Sequence, residues 1–192
     1  MVVAEWELQV RASQAAGMRL LHTTVSGNGE PTMHPQFAEF AVRLIRWRNV
    51  RAPDMKLAVL TNGYRLHEPK IREALLLFDE PIVKLDAVEP ERWRAINQPL
   101  IPLSVDRLVA TLKECNGAVM IQSMFVKDVN DTPADIRKWK EALAEIRPRE
   151  IQVYTVTRAP AHPDVQPVPD NQLIAIAEDA AKELNTPVHA FL

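Results

Sequence analysis

The sequence has 192 residues, of which 47% are hydrophobic and 25% charged, with a formal net charge of -2. This composition is typical of a soluble globular protein, and it excludes a nucleic-acid-binding protein that depends on a large excess of positive charge. No apolar run approaches the roughly 20 residues needed to cross a bilayer, and no signal peptide is visible, so we expect a cytoplasmic protein without membrane contact.

Helical and extended patterns alternate along the chain. Helical spacing of apolar residues predicts helices over 2–16, from near 35 to 47, and over 69–77, 89–96, 105–112, 133–146 and 170–184. Apolar, β-branched runs predict strands over 20–25, 56–60, 81–85, 118–126 and 151–157, with a short final strand over 188–191.

Strands that alternate with helices form right-handed parallel βαβ units, so we predict one α/β domain over 1–192 with a mostly parallel sheet. A closed eight-stranded barrel typically needs about 250 residues, so this sheet should be open or partial. The first strand is preceded only by a helix and should lie at an exposed edge. Such an edge favours pairing with a second copy as a homodimer.

The stretch between the first strand and the second helix contains Ser26, Gly27, Asn28, Gly29 and Glu30. Two glycines allow positive φ angles and close approach of the backbone to a ligand. Backbone N–H groups and a carboxylate together suit the carboxylate and the amine of an amino acid. The alternative is a simple tight turn. A phosphate loop is excluded, because no Gly-Lys-Ser/Thr follows and Pro31 lacks an N–H.

Further polar residues follow the later strands. Asn62 and Gly63 end the second strand, Lys84 and Asp86 end the third, and Thr155 lies near the end of the fifth. The carboxyl ends of parallel strands share one rim, where α/β proteins bind ligands. For Asp86 a helix cap is the alternative interpretation, and for Lys84 a solvated strand end.

Six segments in order, 24–32, 60–63, 83–87, 96–97, 125–131 and 153–158, resemble the radical S-adenosylmethionine (SAM) enzymes, in particular the branch similar to wyosine-forming tRNA-modification enzymes. The resemblance implies a partial (β/α)6 TIM-like barrel, truncated at its N-terminus. It also implies two cofactors, S-adenosylmethionine and a [4Fe–4S] cluster at which SAM is reductively cleaved to a 5′-deoxyadenosyl radical. By analogy, the substrate is an RNA or a protein.

The resemblance also implies roles for individual residues. The segment of Ser26, Gly27, Asn28, Gly29 and Glu30 would hold the methionine amino group, and Asn62 would lie near that end of the cofactor. Lys84 and Asp86 would face the ribose or the substrate. Gln122 and Ser123 would point toward the ribose or carboxylate, although neighbours on a strand have opposite orientations and at most one should face the site. Thr155 and Thr157 would lie near the adenine or the substrate.

The chain departs from this family in its cysteines. Radical SAM enzymes hold their cluster with a Cys-x3-Cys-x2-Cys loop, whereas Cys115 is the only cysteine here. This chain therefore has no cluster ligands, and we expect it to be inactive by itself. Three explanations are open: a fragment of a longer protein, a degenerate relative, or a strand and loop supplied by a second chain. The alternative function is a cluster-less α/β module that binds a small ligand or a partner.

Overall fold

Six parallel strands form one sheet in the computed structural model, which describes residues 2–27, 29–99, 104–157 and 164–192. The strands pair in sequence order, from β1 at one edge to β6 at the other, and every pairing is parallel. This arrangement confirms the predicted α/β fold of a partial barrel. The strands are β1 (His22–Val25), β2 (Lys56–Thr61), β3 (Glu80–Lys84), β4 (Met120–Met124), β5 (Glu150–Tyr154) and β6 (Val188–Phe191).

Seven helices in the described ranges connect or precede these strands. A short 3-10 helix, Pro31–Met33, also follows β1. None of the helices in the described part of the chain has both the length and the apolar character to span a bilayer. The helices are α1 (Val2–Ala15), α2 (Phe37–Arg51), α3 (Pro69–Leu75), α4 (Pro90–Asn97), α5 (Val105–Glu114), α6 (Pro133–Ile146) and α7 (Asp170–Leu184).

Three predicted strands were too long. β1 begins at His22 rather than at residue 20, β4 covers only Met120–Met124, and β5 ends at Tyr154. Beyond β4 the chain leaves the sheet for a turn in which the side chain of Asn130 accepts a hydrogen bond from the N–H of Val126 at 2.7 Å. The apolar residues after β4 are therefore buried by the turn and by α6, and their burial alone does not mark a strand.

The two faces of the sheet differ, because successive side chains of a strand point in opposite directions. One face packs against the helices and forms the main core. Its fully buried residues include Leu57, Val59, Val83, Ile121 and Val153. The opposite face, called the open face below, carries a smaller cluster of Ala58, Leu60, Ile82 and Met120. No helical residue in the described ranges belongs to that cluster.

Two ion-pair networks tie the layers together. Lys140 of α6 lies 2.6 Å from Asp179 and also contacts Glu183, both on α7. Asp79 accepts hydrogen bonds from the N–H of Leu57 at 2.8 Å and from the guanidinium of Arg48. The first network joins two helices, and the second fixes the start of β2 against α2.

Candidate functional site

The carboxyl ends of β1 and β2 are joined by the carboxylate of Glu30. Its Oε1 accepts hydrogen bonds from the N–H and the hydroxyl of Thr32, at 3.0 and 2.6 Å, and from the hydroxyl of Thr61. Its Oε2 accepts from the N–H of Asn62 at 2.8 Å. Thr32 and Thr61 are buried, so these bonds hold the carboxylate in one orientation. The predicted proximity of Glu30 and Asn62 is therefore present in the structure.

The hydrogen bonds leave part of the carboxylate available. Oε1 has three donors, whereas Oε2 has one, and a carboxylate oxygen has about two lone-pair sites. The Asn62 side chain is used locally, since its Oδ1 accepts from the N–H of Tyr64 at 3.0 Å. The free acceptor at this end of the rim is thus on Oε2, which can accept a hydrogen bond from one ammonium or hydroxyl group.

A groove of about 690 Å³ lies between the glycine turn and α2. Ser26, Gly27, Gly29 and Glu30 line it together with the apolar Phe40. Asn28 lies outside the described residues. Gly27 does not use the positive φ that a glycine allows. A side chain at Gly29 would enter open space, so the absence of a side chain keeps the backbone of the groove accessible.

The positive φ on this rim belongs to Gly63, at +75°. A Cβ there would lie 2.5 Å from Leu108 of α5 and 3.0 Å from Val83 of β3. Gly63 thus permits both the turn after β2 and the close packing of α5 beside it. The hydroxyl of Thr61 accepts a hydrogen bond from the N–H of Gly63 at 3.0 Å, which connects this turn to Glu30.

A second polar group lies at the ends of β3, β4 and β5. Asp86 is 1% exposed, and its Oδ1 accepts from the N–H of Met124 at 2.8 Å. The ammonium of Lys84 lies 3.5 Å from Asp86 Oδ2, an atom that makes no hydrogen bond. Asn130 donates to the main-chain oxygen of Asp86 at 2.6 Å and so fixes the turn. Asn130 therefore fixes the turn after β4 from a buried position.

Burial and charge act in opposite directions on this group. Burial raises the pKa of Asp86, while Lys84 and the N–H of Met124 oppose the rise. Burial alone would lower the pKa of Lys84, but Asp86 and the hydroxyl of Tyr154 outweigh it, and the pKa ends above its usual value. Burial also raises the pKa of Tyr154. Lys84 is therefore charged at neutral pH, and Tyr154 carries its proton.

Ser123 and Thr155 face the helices rather than the open face. The hydroxyl of Ser123 donates to the main-chain oxygen of Leu85 at 2.7 Å and accepts from the indole N–H of Trp139 at 2.9 Å. The hydroxyl of Thr155 donates to Phe125 at 2.9 Å and accepts from the N–H of Val168. Both are buried, so they connect parts of the core.

Gln122, the neighbour of Ser123, lies on the open face instead. Its amide donates to Gln152 Oε1 at 3.0 Å, across β4 and β5. Sequence reasoning gave no individual role to Gln152, Tyr154 or Thr61, although segments 60–63 and 153–158 contain the last two. The alternation along β5 could have identified Gln152 and Tyr154, because these two residues are two positions apart and point to the same face of the sheet, the open face.

The described residues do not fit an iron–sulfur cluster. Cys115 is buried after α5, and its thiol donates to the main-chain oxygen of Thr111 at 3.6 Å. Burial raises the pKa of this thiol, which disfavours the thiolate that iron requires. Within the described ranges, no group of three or more His, Cys, Asp or Glu side chains is arranged to hold a metal ion.

No family model matches the chain. Its sequence is 29% identical over 140 residues to a UPF0026 protein of Synechocystis sp., which covers 70% of this chain and 50% of the relative. It is 24% identical over 156 residues to the GTPase Obg of Brachyspira hyodysenteriae, which covers 79% of this chain and 22% of that protein. The chain therefore spans half or less of the length of these relatives.

Solved structures with a similar fold include a radical SAM methyltransferase, SuiB and a domain of a pyruvate-formate lyase-activating enzyme. A radical SAM methyltransferase of Sphaerobacter thermophilus aligns with 98% of this chain and 56% of its own, at a TM-score of 0.71 and 19% identity. SuiB of Streptococcus suis, solved bound to S-adenosylmethionine, aligns over 98% of this chain and 43% of its own chain, with a TM-score of 0.70 and 16% identity. A domain of a pyruvate-formate lyase-activating enzyme from Bacteroides vulgatus aligns over 88% of this chain and 98% of its own chain, with a TM-score of 0.67 and 15% identity. At these identities the likeness shows that the chain has the fold of the partial radical SAM barrel.

Proposed function

We propose that this chain is the S-adenosylmethionine-binding core of a radical SAM enzyme. The observation that carries the proposal is the anchored carboxylate of Glu30, which joins the ends of β1 and β2 and has acceptor capacity left on Oε2. The fold of SAM-dependent neighbours and the order of the sequence motifs support it.

In this proposal the rim holds the methionine end of the cofactor. Glu30 Oε2 accepts a hydrogen bond from the methionine ammonium, and the exposed backbone of Gly27 and Gly29 lies against the same end. The hydroxyls of Thr32 and Thr61 keep the carboxylate oriented by donating hydrogen bonds to Oε1. Lys84 and Asp86 lie farther along the rim, toward the ribose or the substrate.

Reductive cleavage of SAM needs a [4Fe–4S] cluster, and the residues within the described ranges, with the one buried cysteine, do not fit one. We propose that the cluster ligands come from residues outside these 192, either in a longer form of the protein or in a second chain at the edge of β1. The genomic DNA upstream of the codon for Met1 tests the first source. An in-frame Cys-x3-Cys-x2-Cys motif would support it, and a stop codon immediately upstream would contradict it.

Isothermal titration with S-adenosylhomocysteine, which keeps the amino-acid head, tests the binding proposal. Glu30→Gln removes the charge and retains the shape, and should weaken binding about 10- to 100-fold, the effect of one charged hydrogen bond. Glu73→Ala, on the exposed surface of α3, is the matched control and should bind like the wild type. Equal affinity in a folded Glu30→Gln variant, or no binding by the wild type, would contradict the proposal.

The second candidate is a cluster-less α/β module that binds a small ligand or a partner. The observation that favours it is the single, buried cysteine. The upstream DNA separates the two, because a module of this kind needs no cysteine motif. The substrate class of RNA or protein, the wyosine-forming branch and a homodimer through the β1 edge are further proposals. They are supported by the motif series and by the edge position of β1.

A further inference from the structure

A cavity of about 140 Å³ lies between the segment that follows β2 and the first turns of α5. Its lining includes Gly63, Tyr64 and His67 on one side and Arg107 and Leu108 on the other. The volume is well above the minimum for one water, so a small organic molecule fits. The cavity shares no described lining residue with the groove beside the glycine turn, and it is therefore a separate site.

The imidazole of His67 is held in one orientation. Its Nδ1 lies 3.0 Å from the main-chain oxygen of Tyr64, and because a carbonyl can only accept, Nδ1 carries the proton. The ring also meets the ring of Tyr64 edge to face, with centroids 6.5 Å apart. In the neutral imidazole Nε2 is then an acceptor, and no described residue donates to it.

Arg107 is the one ionic side chain among the described residues that line the cavity. Its backbone is fixed, because its N–H donates to Ser104 Oγ at 3.3 Å and its oxygen accepts from the hydroxyl of Thr111 at 2.9 Å. Its guanidinium is exposed and has no hydrogen bond or ion pair with any described residue. The guanidinium is therefore available to an anion.

These two groups together select a ligand. A guanidinium binds a carboxylate through two parallel N–H···O bonds, and its single charge matches that of one carboxylate. The acceptor of His67 needs a donor, and a hydroxyl supplies one without adding charge. An ammonium is disfavoured, because Arg107 repels it and no carboxylate of a described residue lines the cavity. A phosphate monoester is also disfavoured, because it carries close to two negative charges at neutral pH and offers mainly acceptors.

We propose that this cavity binds a small hydroxy acid, whose carboxylate pairs with Arg107 and whose hydroxyl donates to Nε2 of His67. The inference goes beyond the proposed function and does not depend on it. The two sites are neighbours along the chain, because the N–H of Asn62 donates to Glu30 and the next residue, Gly63, lines the cavity. The protein thus has a second ligand site beside the rim.

NMR titration with L-lactate, propanoate and L-alanine tests the ligand class, because the three differ only in the hydroxyl, hydrogen or ammonium on one carbon. L-Lactate should give saturable shifts at Gly63 and Arg107. Propanoate should bind several-fold more weakly, as expected for the loss of one neutral hydrogen bond, and L-alanine and inorganic phosphate should also bind more weakly than L-lactate. No saturable shifts with L-lactate, or equal or tighter binding of any of the other three, would overturn the proposal.

Two variants test the assigned groups. Arg107→Gln should raise the dissociation constant of L-lactate about tenfold or more, as expected for a charged hydrogen bond. His67→Asn keeps an N–H for the oxygen of Tyr64 but has no counterpart of Nε2. It should weaken L-lactate to the level of propanoate and leave propanoate unchanged, which a general loss of structure would not do.

Arg137→Gln, at a 65% exposed position on α6, is the matched control and should bind L-lactate like the wild type. An equal loss in this variant, or an unchanged preference for L-lactate over propanoate in His67→Asn, would contradict the assignment. Glu30→Gln should weaken S-adenosylhomocysteine and leave L-lactate unchanged, whereas Arg107→Gln should do the reverse. If Arg107→Gln weakens both ligands equally, the cavity belongs to the cofactor site and the inference is wrong.

Discussion

Glu30→Ala should lower the free energy of unfolding by about 3–7 kcal/mol, because two buried hydroxyl donors lose their acceptor and a helix loses its capping side chain. The hydroxyls of Thr32 and Thr61 both donate to Glu30 Oε1, and these residues are 0% and 1% exposed. An unpaired buried donor costs about 1–3 kcal/mol, and the loss of a capping side chain about 1 kcal/mol more. Asn62 is exposed, so water replaces its lost bond, and the total stays below the sum of all four bonds.

Urea unfolding followed by circular dichroism measures this difference. Glu73→Ala, from the exposed surface of α3, should change the free energy of unfolding by less than about 0.5 kcal/mol. Glu30→Gln should fall between the two, because its amide oxygen can still accept from the threonine hydroxyls. A loss below about 1 kcal/mol for Glu30→Ala would refute the reasoning, since the carboxylate would then not be the link between β1 and β2.

Three other predictions concern positions away from Glu30. Gly63→Ala should cost about 2–4 kcal/mol in urea unfolding, because φ is +75° and the new Cβ would meet Leu108 at 2.5 Å. The two α7 carboxylates raise the pKa of Lys140, so its contribution to the free energy of unfolding should be constant at neutral pH and decline above about pH 10. The wild type and Lys140→Met should therefore differ less in free energy of unfolding above that pH, and a difference that does not change with pH would contradict this. Burial alone would raise the pKa of Asp79, but a backbone N–H and Arg48 outweigh it and lower that pKa. The wild type should therefore be more stable than Asp79→Asn at neutral pH, and acid-unfolding curves should show this difference shrinking below about pH 4.

The order of elements could be predicted from the sequence because each strand and helix has its own periodicity. β2, β3 and β6 lie within about one residue of the predicted spans, and α6 matches its span, preceded by Thr132, whose side chain accepts a hydrogen bond from the N–H of Asp135. The ends of β4 and β5 could not be predicted. The apolar Phe125 after β4 is buried against Trp139 at a centroid distance of 5.2 Å, and sequence periodicity does not distinguish this burial from that of a strand.

The candidate site was predictable in part for a related reason. Parity within one strand shows that Gln122 and Ser123 face opposite ways, but not which of them faces the helices. That assignment needs the register between strands, in which Lys84, Gln122 and Gln152 lie side by side on the open face. The register comes from long-range packing, and for that reason Ser123 and Thr155 were chosen as site residues although both hydroxyls are used inside the core.

The spacing of the sheet separates the two polar groups of the rim. Neighbouring strands lie about 4.8 Å apart, so the end of β2 beside Glu30 and the end of β5 at Tyr154 are about 14 Å apart laterally. One carboxylate or one ammonium cannot contact both. Glu30 offers an acceptor, whereas Lys84 and Tyr154 offer donors, so the two ends also select opposite chemistry. A single rim with an acceptor at one end and donors at the other suits two ligands side by side, as a reaction between a cofactor and a substrate requires.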